Sequence, residues 1–506
     1  MLNRGKVVLF YPPYDGPPLS APLCLLTLAA SLREAGFQPV VIDAAVTPHY
    51  CQRIHRETAD AVCLGISVLT GPMITGAIEV ATSVKKLRPS LPIIFGGWHP
   101  TLLSEETLKE PFVDVVVRGQ GELTLVDLVL AFSEASQLDG VPGISWKNGR
   151  LARHNVERRV QPLESLPTPA YDLVNFDTYQ RFDGVRKLAY ATSVGCPYAC
   201  NYCTDMVFYK RRFNALSAER VVGELANLVP RYGIEEVALL DSNFPVDLRR
   251  ALQIARGIRE TGVRFRWTFQ ASTDFLCRMS EEEVCVLGES GVSHMGFGTE
   301  STSEQVLKLM NKRHQRVDEM YETARKANLA GIRVTFNLIF GYPGETEADR
   351  MVTFRTMSEI GREFRNVTFS PNIFTPYPGI PIWPQLRTLG VHEPKSLQEW
   401  AHLPLGANTL PWLQGKELAR LQRMLAYFLL GNQINRPNRR STAVQRNVRR
   451  IVRTPVSWRL RSSHFSFPWE LWLTRSTERP VPRRSLVTGK ELPQQGGDSL
   501  LIRGRF

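Results

Sequence analysis

No run of 18 uninterrupted apolar residues occurs in the 506-residue chain, which removes the ordinary signature of a transmembrane helix. A secretion-type leader is missing too. The first apolar stretch, in MLNRGKVVLFYPPYDG, is short and stops at Pro12-Pro13, as a buried strand running into a loop would. Repeats of solenoid type are absent. So is the Gly-x-Gly-x-x-Gly fingerprint of a dinucleotide site, because the loop after the first strand candidate reads Tyr-Pro-Pro-Tyr-Asp-Gly. Cysteine is too sparse for a disulfide-built protein: there are eight, Cys24, Cys51, Cys63, Cys196, Cys200, Cys203, Cys277 and Cys285. Without an export signal they read as free thiols in a reducing cytoplasm. Five stand alone in apolar or helical contexts, as small core residues do. Three fall within eight positions, which suggests a metal or redox site.

What is present reads as a globular chain of two or three domains, with 43% hydrophobic and 22% charged residues. The net charge of +13 is unevenly placed: Arg436–Phe506 holds sixteen Lys/Arg against four Asp/Glu, a net of +12, leaving about +1 for the rest. Basicity therefore belongs to the C-terminal tail and not to the body of the protein.

Residues 1–150 alternate short buried strands (Lys6–Phe10, Pro39–Asp43, Ala61–Ser67, Pro92–Gly96, Val113–Arg118) with amphipathic helices near Pro22–Glu34, Met73–Leu87 and Leu123–Phe132. That pattern predicts an α/β, doubly wound parallel sheet, which binds ligands at the carboxyl ends of its strands. Gly- and Pro-rich elements fall at those ends. They are Tyr11-Pro-Pro-Tyr14, Thr70-Gly71-Pro72, Gly96-Gly97-Trp98-His99-Pro100 and Gly119-Gln-Gly-Glu122. Residues 151–187 read as a linker. A second βα series follows over 188–395, with strands at Leu188–Val194, Glu236–Asp241, Val263–Ala271, His294–Thr299, Ile332–Phe340 and Asn366–Phe374. Six units predict an open partial barrel, two short of closure. Residues 396–506 read as helical, then basic and aromatic.

Cys196, Cys200 and Cys203 form C-x3-C-x2-C directly after the first strand of the second series. Thiolates ligate iron–sulfur clusters, and close spacing lets one loop wrap a compact cluster while leaving one iron open. Zinc is the competing reading, but structural zinc takes four ligands and no convincing second pair is present.

This loop, opening a six-unit βα series, resembles the radical SAM superfamily over roughly residues 185–400. The resemblance implies that Cys196, Cys200 and Cys203 hold a [4Fe–4S] cluster whose open iron chelates S-adenosylmethionine. Reductive cleavage there yields a 5′-deoxyadenosyl radical, with electrons from an external donor such as flavodoxin or ferredoxin. It further implies that Tyr202 lines the adenine pocket and that Asp241, in Asp-Ser-Asn-Phe244, takes the place of the amino-group-binding motif, usually Gly-Gly-Glu. Glu300, in Gly296-Phe-Gly-Thr-Glu-Ser301, would sit near the methionine moiety, and Gly341, in Gly341-Tyr-Pro-Gly344, would support adenine. A turn glycine or a helix-capping acid is the bland reading of each.

The first domain carries Ser67-Val68-Leu69 followed, after 26 intervening residues, by Gly96-Gly97. Together with Gly71, Gly119 and the other loops, these resemble the cobalamin-binding domains of cobalamin-dependent radical SAM enzymes. In those domains small residues admit the nucleotide tail and Ser67 would donate to it. The Asp-x-His-x-x-Gly element is absent, and no histidine precedes His49, so no lower cobalt ligand is assigned to the first loop; His99 reads as a turn-packing residue. The resemblance implies methylation of an unactivated carbon in a small-molecule or lipid-like substrate. Oxidative cyclisation or hydroxylation, as in the anaerobic magnesium-protoporphyrin ester cyclase branch, stands as the alternative, and a non-catalytic cobalamin or nucleic-acid binding module as another. Methylthiolation of tRNA is disfavoured, because the further cluster cysteines it needs are missing. The tail interleaves Arg449, Arg450, Arg453, Arg459 and Arg461 with Trp458, Phe465, Phe467, Trp469 and Trp472. Such a segment packs its aromatics on the barrel, touches an anionic membrane surface, or, least favoured, stacks on nucleic acid.

Overall fold

The computed structural model describes residues 4–14, 18, 20–149, 151–403, 410–435, 441–462 and 464–477. The 478–506 part of the basic tail lies outside the described residues. Seven strands form the first sheet: β1 (Lys6–Tyr11), β2 (Gln38–Asp43), β3 (Ala61–Ser67), β4 (Ile93–Gly96), β5 (Val115–Val117), β6 (Ile144–Asn148) and β7 (Leu151–His154). Their order is β2-β1-β3-β4-β5-β6-β7, parallel through β5. Alternate residues of β1 feed two cores, Val7 and Leu9 on one face and Val8 and Phe10 on the other, as a strand covered on both sides requires. The order reverses between β1 and β3, and the loops diverge there to leave a crevice.

The sheet is not wholly parallel. β6 and β7 form an antiparallel hairpin on its edge, so the segment read as a linker opens with a strand. Every residue of β7 is exposed, which leaves no hydrophobic alternation to read; only Asn148-Gly149 signals the hairpin.

The second sheet is built from β8 (Lys187–Tyr190), β11 (Glu236–Leu239), β12 (Arg266–Ser272), β13 (Val292–Glu300), β14 (Arg333–Phe340) and β15 (Val367–Ile373), all parallel and in sequential order. It is an open six-stranded partial barrel, hereafter the half-barrel. A two-stranded ladder, β9 (Ser193–Val194) with β10 (Asn214–Ala215), brackets the cysteine loop. Helix Gly415–Asn435 lies against β15, where Asn432 takes both backbone groups of Phe369, donating to its carbonyl at 2.5 Å and accepting from its N–H at 3.2 Å. An edge strand is thereby covered. Among the described residues no helix is long and apolar enough to cross a membrane.

The two sheets share one continuous core, and polar contacts tie them: Tyr179 donates to Asp43 Oδ2 at 2.8 Å, and Trp98 stacks on Phe208 with centroids 4.3 Å apart. His99 is fully buried in the same region, edge-on to Trp400 and bonded through Nδ1 to Thr70 Oγ1 at 3.0 Å. Its Nε2 has no partner, and burial pushes the imidazole pKa down to about 4. Below the unfolded value the unfolded chain binds the proton and the folded chain refuses it. Stability should therefore fall as pH drops from 6.5 toward 4, by about 3 kcal/mol from this group alone. Denaturant melts of wild type and His99→Phe across that window check this; identical pH slopes would contradict it.

Candidate active site

Gly195 turns the chain from β9 into the cysteine loop at φ +78, and a Cβ there would sit 2.0 Å from the Arg212 carbonyl oxygen. Only glycine allows that approach. Beyond it, Asn311 Nδ2 holds the Ala199 carbonyl at 2.7 Å, Asn201 Nδ2 reaches the Leu309 carbonyl at 2.8 Å, and Tyr342 donates to Asn201 Oδ1 at 2.6 Å. The loop is thus clamped to the segment after β13 and to the start of the turn after β14. Burial raises the pKa of all three thiols, that of Cys203 to about 12. Thiols in that state become thiolates when a metal supplies the compensating charge. Among the described residues no group of three or more His, Cys, Asp or Glu side chains is placed to hold a single metal ion.

Asp241, expected to bind the amino group of a ligand, spends its carboxylate elsewhere. It accepts from Thr192 N at 2.8 Å, Thr192 Oγ1 at 2.5 Å and Ser193 Oγ at 2.5 Å. Burial pushes its pKa up, against these hydrogen bonds and the charge of Arg250. Arg250 in turn donates to the Thr192 carbonyl at 2.9 Å and the Leu216 carbonyl at 2.6 Å. Both strands of the bracketing ladder are thereby pinned, at one end, to the second βα unit. The free acceptors lie next door. Asn243 Oδ1 and Asp205 Oδ2 are buried without partners, although Asn243 Nδ2 points toward Cys196 Sγ at 4.0 Å and Ser242 Oγ donates to Asp205 Oδ1 at 2.6 Å. Gln315 Oε1 and Thr299 Oγ1 are likewise unpartnered. Buried acceptors without donors carry a desolvation cost that a cationic ligand such as a sulfonium amino acid would relieve.

Tyr202 and Glu300 meet: the phenol donates to Glu300 Oε1 at 3.1 Å, and buried Lys312 Nζ donates to the same oxygen at 3.1 Å. Desolvation lowers the Lys312 pKa, but the charges of Glu300 and Cys200 outweigh it and leave the ammonium above its usual value. Glu300 is held at φ +60, a left-handed backbone rare for glutamate, at the register shift between β13 and β14. Gly341 sits beneath the segment carrying Trp412, whose Nε1 donates to its carbonyl at 3.0 Å, and its own N–H goes to Glu345.

A cavity of about 810 Å³ opens where the carboxyl ends of the two sheets face each other. Ser67, Leu69, Gly96, Gly97 and Gly119 line it from the first domain, and Ser193, Phe208, Tyr209, Leu240 and Ser242 from the second. Its walls reach between the first sheet and helix Leu23–Glu34 through Leu9, Leu25 and Leu28, as a slot for a flat or elongated group would. A Cβ at Gly119 would meet nothing within 4 Å, so this glycine keeps the space open. At Gly97, φ is +94 and a Cβ would approach the Val68 carbonyl oxygen to 2.8 Å. Gly71 is not among the wall residues; it opens helix Met73–Leu87 instead. His99 does not line the cavity either. Cys24, read as a core cysteine, is exposed on the wall with Sγ 3.7 Å from Ser67 Oγ. Sequence reading missed Gly195, Asp205, Asn243, Arg250 and Lys312. A glycine directly before the first cysteine was a usable signal for one of them; the others depend on tertiary partners.

The chain matches the family model of the radical SAM superfamily over residues 190–357 and that of the B12 binding domain over residues 5–129. It is 31% identical over 395 residues to an uncharacterized methyltransferase of Pyrococcus horikoshii, covering 75% of this chain and 82% of the relative. It is 25% identical to the anaerobic magnesium-protoporphyrin IX monomethyl ester cyclase of Cereibacter sphaeroides, covering 76% of this chain but 64% of the cyclase. The fold is similar to that of the radical S-adenosylmethionine methyltransferase TsrM of Kitasatospora setae, solved with cobalamin and a [4Fe–4S] cluster bound (TM-score 0.65, 20% identity, 78% of this chain and 80% of the other).

Gly195→Ala should prevent the cysteine loop from closing without unfolding the sheets. Iron and sulfide incorporated on anaerobic reconstitution should fall at least fivefold with the far-ultraviolet circular dichroism unchanged. Wild-type iron content in the variant would contradict the tight approach to Arg212.

Proposed function

The chain belongs to the cobalamin-binding radical SAM family, and on that premise we propose that it is a methyltransferase acting on an unactivated carbon of a small-molecule or lipid-like substrate. It uses a [4Fe–4S] cluster, S-adenosylmethionine and cobalamin. The observation that carries the reading is the single cavity shared by the cobalamin-type sheet and the cysteine-bearing half-barrel. With the cluster on the cysteine loop and cobalamin in the cavity, the one would supply the electron that cleaves S-adenosylmethionine and the other the methyl group.

Cys196, Cys200 and Cys203 would hold the cluster, with Asn201 and Asn311 keeping their loop in place. Asp205 Oδ2 and Asn243 Oδ1 would accept hydrogen bonds from the α-ammonium of S-adenosylmethionine, which relieves both unpartnered oxygens. Asp205 supplies the negative charge that Asn243, an amide, lacks. Tyr202 forms the adenine-side wall and is fixed by Glu300 and Lys312. Asp241 acts as a positioning residue through Thr192 and Ser193. Ser67 would donate to the nucleotide tail of cobalamin, and the apolar walls, with the Trp98–Phe208 stack across the domain boundary, exclude water that would quench radical chemistry. An external one-electron donor of the flavodoxin or ferredoxin type completes the set.

Two outcomes are expected. Anaerobically reconstituted enzyme with cobalamin and a reductant should release 5′-deoxyadenosine, and Cys200→Ala should lower that rate at least a hundredfold. Once a substrate is in hand, label from methyl-¹³C S-adenosylmethionine should enter the product. Oxygen from ¹⁸O-water entering instead would replace methylation by the cyclase-type reaction. Independently, Asp205→Asn should weaken S-adenosylmethionine binding to the reconstituted enzyme about tenfold, or roughly 1.4 kcal/mol, by calorimetric titration. Unchanged affinity would remove Asp205 from the site.

A further inference from the structure

Helix Ala443–Ser462 buries one face through Val452 and Val456, against helix Gly415–Asn435. Its other face carries Val444, Ile451 and Trp458, which are 61%, 63% and 55% exposed. Seven-residue spacing puts the three in one line, about 10.5 Å apart along the axis. Arg450 and Arg461 are exposed on the flank of that line, and exposed Arg446 and Arg453 lie further round the helix. Glu470 is the one acidic residue between positions 441 and 477, and it is buried.

The stripe continues past the helix end. Trp458 contacts His464 at 5.8 Å, and Phe467, 69% exposed, meets exposed Trp472 at 5.3 Å. Phe467 is not left outside by default. Buried Arg459 donates to Glu470 at 2.6 Å and to the carbonyls of Ser466 and Phe467 at 2.6 and 2.8 Å, while Tyr427 donates to the other Glu470 oxygen at 2.8 Å. This clamp holds Phe467 at φ +48, a left-handed backbone costly for phenylalanine. A buried ion pair and a strained backbone thus present an aromatic ring to the outside.

We propose that this face docks the enzyme on an anionic lipid surface. The exposed described charge of the segment is wholly positive, which complements acidic headgroups, and arginine beside tryptophan suits the interfacial layer. Val444 and Ile451 stand in the same line as Trp458. Aliphatic side chains enter a hydrocarbon boundary but give no platform for stacked bases. The surface lies outside the cofactor cavity, so the proposal stands or falls apart from the reaction.

Sedimentation of the reconstituted full-length enzyme with phosphatidylcholine vesicles, with and without 30% phosphatidylglycerol, tests it. Wild type should bind the anionic vesicles at least tenfold more tightly than the neutral ones and be released by 0.5 M salt. Ile451→Ser/Trp458→Ser and, separately, Arg450→Glu/Arg461→Glu should each lower binding about tenfold, with 5′-deoxyadenosine formation in the absence of vesicles unchanged. Equal binding to both vesicle types, no binding to either, or retention by a single-stranded oligonucleotide without vesicle binding would each overturn the proposal.

Discussion

The buried carboxylate of Asp241 is the interaction on which the site depends. It takes three hydrogen bonds from the two residues that lead into the cysteine loop, while Arg250 holds the carbonyl of one of them and the far side of the ladder. A buried charge is tolerated only when its lone pairs are satisfied and an opposite charge is near, and both conditions are met here. The consequence is geometric. The loop leaves the sheet at one fixed point and Gly195 reverses it directly before Cys196. Loss of the carboxylate would leave Thr192, Ser193 and Arg250 competing for partners in a dry environment, a larger disturbance than the loss of a single hydrogen bond.

From that anchor the chemistry follows by juxtaposition. A doubly wound sheet offers its crevice where the strand order reverses, and a half-barrel offers its carboxyl end because it does not close. The chain turns these two openings toward each other. Trp98 on Phe208 and Tyr179 on Asp43 fix the approach, and one core runs beneath both. The result is one cavity with largely apolar walls from both domains, next to the strands that bracket the cysteine loop. Polar groups are few and specific: Ser67 lines the cavity, Asp205 and Asn243 leave unpartnered oxygens beside the cysteine loop, and Tyr202, Glu300 and Lys312 form a hydrogen-bonded trio.

Much of this was legible in the sequence where local pattern and local structure coincide. The spacing of Cys196, Cys200 and Cys203, the strand-end glycines and the two βα series all read directly, because each is a short-range signal. Long-range partnerships did not. Asp241 occupies the motif position for ligand binding, yet its role is set by Thr192, Ser193 and Arg250, which lie 49, 48 and 9 positions away by their numbers in the chain. Lys312 carries no motif at all and matters only because β13 and the cysteine loop bring Glu300 and Tyr202 to it. β7 escaped because it is exposed on all its residues. The tail divided in a way composition could not foresee: Phe465 is buried on Tyr427 and Arg459 is buried on Glu470, while Trp458, Phe467 and Trp472 face outward.

The central claim is that cobalamin, held in the cavity across the domain boundary, lies close to the cluster held by the neighbouring cysteine loop. Electron paramagnetic resonance of the reconstituted enzyme, poised so that the cluster is reduced and the cobalt is in its paramagnetic divalent state, tests this without a substrate. Two spins on either side of the domain boundary at such close range should show dipolar coupling, broadening or splitting both signals relative to enzyme lacking either centre. Signals that superimpose on the sum of the two isolated centres would place them apart and contradict the account.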